Sequence, residues 1–130
     1  EVKDRTGTEV EFSRISTSGR ETEFAKVGEI PSQPYRLFVK STETGSGLKK
    51  RRRSTVMFRK TTIAEVDSVT PVTSAAYIVI DTPSGAMSTN NVLTDLIANL
   101  LSFVGTTGAA NTVLFDGTGN GAKCLINGDL

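Results

Sequence analysis

Residues 35–62 read YRLFVKSTETGSGLKKRRRSTVMFRKTT, and the two ends of this stretch carry the same pattern. In the first, Leu37 and Val39 alternate with Arg36, Phe38 and Lys40. In the second, Val56 and Phe58 alternate with Arg51, Arg53, Thr55, Met57 and Arg59. Successive side chains of a strand point to opposite faces, so a period of two predicts strands over 35–42 and 49–62, each with an apolar side and a cationic side. Residues 44–47, Thr-Gly-Ser-Gly, supply the turn between them. Two such strands side by side make a sheet with one face to be covered and one face that presents cations.

The same period extends in both directions. Upstream, Val10 and Phe12 alternate with Glu9, Glu11 and Ser13 over 8–15, and Phe24 points inward from a shorter strand over 21–27. Turn residues Thr17, Ser18 and Gly19 lie between, which predicts an N-terminal hairpin. Pro31 and Pro34 then break the chain before residue 35. Downstream, a polar loop from Ile63 to Pro71 leads to a strand over 72–81, with Ala76, Ile78 and Ile80 on one face and Ala75, Tyr77, Val79 and Asp81 on the other.

After residues 83–86 the period changes. Val92, Leu93, Leu96, Ile97, Leu100, Leu101 and Val104 recur at helical spacing, with Ser88 or Thr89 as N-cap and Gly105 as C-terminal stop. The breadth of this stripe fits burial against two surfaces. From Thr106 the chain is rich in glycine and reads as a flexible connector, with Val113, Leu114 and Phe115 ending a short second helix and Leu125 and Ile126 as a last apolar anchor. Strands first and helices last is an α+β plan, an antiparallel sheet with helices on one face. One domain is expected over 1–130, made of a hairpin region (1–27), a sheet (28–83), a helix (88–105) and a C-terminal segment (106–130).

Composition limits the chemistry. The chain has no His, no Trp and one Cys, Cys124, which excludes histidine-based catalysis, an intrachain disulfide and the usual zinc sites. No apolar run approaches the roughly 20 residues of a membrane span, and the expectation is a soluble, intracellular, non-enzymatic product with no cofactor. The net charge of +1 conceals a segregated distribution. Residues 36–60 hold nine bases and one acid, whereas 1–35 sum to −2 and 61–130 to −5. A compact basic block of this kind is the footprint of a polyanion, most often a phosphate backbone. The run Lys49, Lys50, Arg51, Arg52, Arg53 alone is also consistent with a solvated turn, a nuclear-import signal or a processing site. Shared parity with Arg36, Lys40 and Arg59 favours RNA.

The strands over 35–42 and 51–60, the segment AAYIVIDTP over 75–83 and the single amphipathic helix resemble, in order and spacing, the coat proteins of levivirus-type single-stranded RNA bacteriophages. The resemblance implies the RNA phage coat protein fold, an intertwined homodimer with one continuous sheet, and assembly into an icosahedral capsid. It implies that the helix-free face lines the shell and binds the single-stranded RNA genome and an RNA hairpin, the operator that represses replicase translation. By strand position the RNA-binding residues are Arg36, Phe38 and Lys40, then Thr55, Met57 and Arg59, then Tyr77 and Val79, joined by the basic residues Lys49, Lys50, Arg51 and Arg53. Leu96, Leu100 and Val104 fall in the dimer interface. Ile63, Glu65, Asp67 and Pro71 mark the loop that meets neighbouring dimers at symmetry axes. The location implied is the virion, assembled in the bacterial host cytoplasm, with no membrane and no small-molecule substrate.

Other features carry less. Tyr77 suits base stacking and equally suits an exposed sheet position; Phe38 faces the same choice, with packing against an aliphatic stem favoured. Asp116, Thr118, Asn120 and Gly121 imitate the start of a calcium loop, but Asn127 stands where a bidentate Glu is needed. Gly117, Gly119 and Gly121 lack the Gly-Lys-Ser/Thr of a phosphate loop. Cys124 is read as an inert thiol. The rival reading from another class is a nucleic-acid-binding regulator that uses the same basic sheet without assembling.

Overall fold

In the computed structural model five strands form one antiparallel sheet in chain order. They are β1 (Phe12–Ser18), β2 (Glu21–Lys26), β3 (Tyr35–Thr44), β4 (Arg51–Ile63) and β5 (Pro71–Thr82). Among the described residues two α-helices follow, α1 (Asn91–Gly105) and α2 (Asn120–Asn127). The structure describes residues 2–86, 91–105 and 114–129. The chain divides into two compact units, one of Glu11–Met87 and one of Glu1–Val10 with Ser88–Leu130.

Within the sheet unit, register follows from the alternation, because a slip of one residue would exchange the faces of a whole strand. Leu37 pairs with Phe58, Val39 with Val56, and Val56 in turn with Ile78. These residues share the apolar face with Phe24, which pairs with Leu37. Phe12 closes one end of that face by edge contacts with Tyr35 at 5.2 Å and Phe58 at 5.9 Å between ring centroids. The β1–β2 turn is tighter than the sequence suggests. Thr17 and Ser18 remain in β1, and the chain reverses at Gly19, whose φ of +58° suits glycine. The β3–β4 connection is longer than expected. It contains a 3-10 turn, Gly47–Lys49, so β4 begins at Arg51 rather than Lys49.

The two edges of the sheet differ. β1 is short and its register shifts between Arg14 and Ser16, a bulge at Ile15. The expected strand start at residue 8 is absent; Glu9 makes only an isolated bridge to Lys3. At the opposite edge β5 runs for 12 residues with β4 as its one strand neighbour among the described residues, and residues 71–79 are all exposed.

In the other unit α1 covers Asn91–Gly105 of the helix expected over 88–105, and the N-cap candidates Ser88 and Thr89 lie outside the described residues. The second helix differs from expectation. Leu114 and Phe115 are not helical, Val113 lies outside the described residues, and α2 instead covers Asn120–Asn127 within the segment read as connector and anchor. It ends at Gly128 in the left-handed conformation, φ 74°. The helices meet through glycine: a Cβ on Gly121 would lie 1.9 Å from the Phe103 carbonyl oxygen. Gly121 and Ala122 are the buried residues of α2. A Gly121→Val variant is therefore expected to lose about 1–3 kcal/mol through overpacking, read as a lower unfolding midpoint. An unchanged midpoint would rule out this contact.

Candidate nucleic-acid interface

Strand pairing places Arg36, Phe38 and Lys40 of β3 directly opposite Arg59, Met57 and Thr55 of β4, and Met57 and Thr55 opposite Tyr77 and Val79 of β5. Cross-strand partners share a face. The sheet thus brings the eight strand positions singled out above onto one side, with Arg51 and Arg53 farther along β4 on the same side. Lys49 and Lys50 lie apart from it. Lys49 belongs to the 3-10 turn, and Lys50 extends its ammonium to Glu43 at 3.2 Å. Glu43 pairs with Arg52, so it belongs to the apolar side of β3.

The cations of this face are not equivalent. Arg36 and Arg59 are direct cross-strand partners, an arrangement that like charges disfavour. Arg36 is drawn away by carboxylates: its Nε and terminal nitrogens donate to Glu29 at 3.1 and 2.7 Å and to Glu23 at 3.0 Å. Glu29 also accepts the Tyr35 N–H at 3.0 Å, a bond that with Arg36 holds its carboxyl below the usual carboxylate range. The Glu29 hydrogen bond likewise raises Arg36. Arg59 lies over the Phe38 ring at 4.8 Å. Arg51 donates to Asp81 at 3.0 Å. Lys40 and Arg53 have no ion pair or hydrogen-bonding side-chain partner among the described residues. Tyr77, 66% exposed, stands beside Met57.

Glu43 is a hub the sequence did not reveal. Arg52 donates to it at 2.8 and 2.9 Å, Lys50 at 3.2 Å, and Arg20 stands at 3.6 Å. Bonds from Arg52 first and Lys50 second hold its carboxyl at about 2. The hub ties the β1–β2 turn and the β3–β4 connection to β4.

The loop between β4 and β5 starts and ends at Ile63 and Pro71, which pair with each other. Inside it Asp67 accepts the Val69 and Thr70 N–H groups at 3.0 and 2.9 Å and the Thr70 hydroxyl. Ala64 bonds across to the Thr70 carbonyl at 2.8 Å. Glu65 is exposed and Val66 is fully so, at 100%. The Thr70 hydroxyl is the main cause of an Asp67 carboxyl held at about 2 against an ordinary 3.8. A lowered folded value stabilises the closed loop above the ordinary carboxylate range, and that contribution fades as pH falls toward 2. Protection of the Val69 and Thr70 amides, measured against the intrinsic exchange rate at each pH, is expected to hold at neutral pH and to fall between about pH 4 and 2. An Asp67→Ala variant should show low protection at every pH.

A five-stranded antiparallel sheet in chain order, opened by a hairpin, followed by two helices and bearing cations on one face, is an α+β architecture. Solved structures share this fold. The coat protein of bacteriophage EMS014 matches with a TM-score of 0.68 over 98% of this chain and 91% of its own, at 11% identity. The virus-like particle of bacteriophage AVE015 matches at 0.60 over 92% and 80%, with 15% identity. That of Wenzhou levi-like virus 4 matches at 0.58 over 73% and 66%, with 17% identity. No protein-family model and no curated protein matches the sequence. The chain has the fold of the RNA phage coat proteins.

Proposed function

We propose that this chain is a structural capsid protein of an RNA bacteriophage, which dimerises, assembles into an icosahedral shell and holds RNA on its cationic sheet face. The observation that carries the reading is the span of the fold likeness, 98% of this chain and 91% of a phage coat protein. Three features support the finer parts. The long exposed edge of β5 offers unpaired backbone groups to a second copy, which would extend the sheet across a dimer. Val92, Leu96, Leu100 and Phe103 form an exposed apolar stripe on α1 at helical spacing, with Val104 half-buried beside it. Lys40, Arg53 and Arg59 supply cations suited to phosphate. The β4–β5 loop, with Val66 and Val69 at its surface, is assigned to contacts between dimers. The same face would hold an operator hairpin. No catalytic role is assigned to any residue, and no group of three or more metal-ligating side chains occurs among the described residues.

Electron microscopy and light scattering of the purified protein test the reading. Closed particles of megadalton mass are the expected result. A species that stays at the 13.9 kDa of one chain, or at twice that, at every concentration would refute assembly and favour the regulator.

A further inference from the structure

We propose that two copies join β5 to β5, antiparallel, with Tyr77 on the two-fold axis, so that each copy contributes one phenol ring to the middle of a shared cationic face. The inference rests on the dimer proposed above and fixes its register. Hydrogen bonds at the sheet margin decide which β5 groups face outward. The Ala64 N–H donates to the Thr70 carbonyl at 2.8 Å, just outside the Ile63–Pro71 pair. Along an antiparallel ladder, pairs that exchange bonds alternate with pairs that do not. Ile63–Pro71 is therefore a non-bonded pair, as the missing proline N–H requires, and so are Thr61–Thr73, Arg59–Ala75, Met57–Tyr77, Thr55–Val79 and Arg53–Asp81. The Thr61 N–H donates to the Pro34 carbonyl at 2.9 Å, away from β5, which gives the same phase. Thr73, Ala75, Tyr77, Val79 and Asp81 thus turn their N–H and C=O groups away from β4, the one strand beside them among the described residues.

A second β5 can bond only to these odd-numbered residues, so odd must meet odd. Facing residues share a side of the sheet, and the cationic faces of the two copies then become one. Two-fold symmetry leaves only the position of the axis to choose. With the axis at Tyr77, Thr73 meets Asp81, Ala75 meets Val79 and Tyr77 meets Tyr77 of the second copy, so every outward group is used. Pro71 and Pro83, which have no N–H to give, meet each other just beyond the ladder. With the axis at Ala76, Pro71 meets Asp81 and that pair makes only one of its two bonds. With the axis at Ile78, Thr73 meets Pro83 and loses a bond likewise. Axes farther out shorten the ladder. Side chains favour the same choice. Tyr77, 66% exposed, gains an aromatic partner across the axis, and on the other face Ile78, 41% exposed, meets the small Ala76.

Cysteine cross-linking of the full chain in a Cys124→Ser background tests the register. Tyr77→Cys, Ala76→Cys and Ile78→Cys are compared under mild oxidation on a non-reducing gel, with sedimentation equilibrium reporting the dimer. Partners on the axis have Cα atoms about 5.5 Å apart, within disulfide reach. The two copies of residue 76, or of residue 78, stand about 8 Å apart, outside it. Tyr77→Cys should therefore yield covalent dimer roughly tenfold faster than either neighbour. A chain carrying both Ala75→Cys and Val79→Cys, which meet in this register only, should link equally well and serves if the first variant does not fold. Faster linkage at 76 or 78 moves the axis and overturns the proposal. Dimers that sediment normally but link at none of these positions show that β5 is not the joint. If the unsubstituted chain stays monomeric at every concentration, the dimer reading falls as well.

Discussion

Replacing Lys40, Arg53 and Arg59 together with alanine is expected to lower RNA affinity about a hundredfold near 0.1 M salt and to yield particles or dimers poor in RNA. Each phosphate contact on a single strand contributes roughly 0.7 to the slope of log affinity against log salt, so three losses should flatten it by about two. The effect should be uniform across RNA sequences, because phosphate contacts carry no base information. Arg14→Ala with Arg20→Ala is the control. Arg14 pairs with Phe24 and so faces the apolar side, and Arg20 is directed at Glu43. Equal RNA loss from both sets, or from neither, would show that the sheet face does not hold the RNA. Substituting Arg36 is a different experiment. Its guanidinium links Glu29 and Glu23, so Arg36→Ala should disturb the 27–34 loop first.

Leu100→Asp is expected to abolish the dimer. Leu96 and Leu100 are 57% and 40% exposed on the single chain, and a second copy would cover them. An aspartate placed there without a partner costs several kcal/mol on association, and about 4 kcal/mol weakens a dimer roughly a thousandfold. Sedimentation equilibrium reads the change directly. Leu100→Met, which keeps volume and apolarity, should leave the dimer in place. Normal dimers from the aspartate variant would exclude α1 from the interface.

The sheet was legible because both its faces are written in the period-two code. Alternation put Leu37, Val39, Val56 and Phe58 on one face, and the sheet pairs them there, Leu37 with Phe58 and Val39 with Val56. What alternation could not reveal is which acid answers which base. Glu23 and Glu29 reach Arg36 only because the eight residues between β2 and β3 bring the strands into one register, and no local rule specifies that register. The placement of Lys49 and Lys50 failed for a related reason: the 3-10 turn takes up residues that by composition continue a basic strand. α2 was hidden by its glycines. Gly121 looks like a helix breaker in the sequence, yet close approach to the Phe103 carbonyl requires a residue without a side chain. Gly128 reads as a loop residue and is the helix stop.

The unlike edges of the sheet bear on how far association can go. A flat strand invites hydrogen bonding to whatever flat strand it meets, and a protein with two such margins would polymerise without limit, as amyloid does. Here the bulge at Ile15 makes one margin irregular, whereas β5 is the longer, regular one. Joining two copies through β5 uses up both sticky ends and exposes a blunted β1 at each outer rim. In the dimer proposed above, growth by hydrogen bonding would therefore terminate at a pair. Such a pair would not extend into a fibril, and a larger particle would be built by side-chain contacts whose geometry can close on itself.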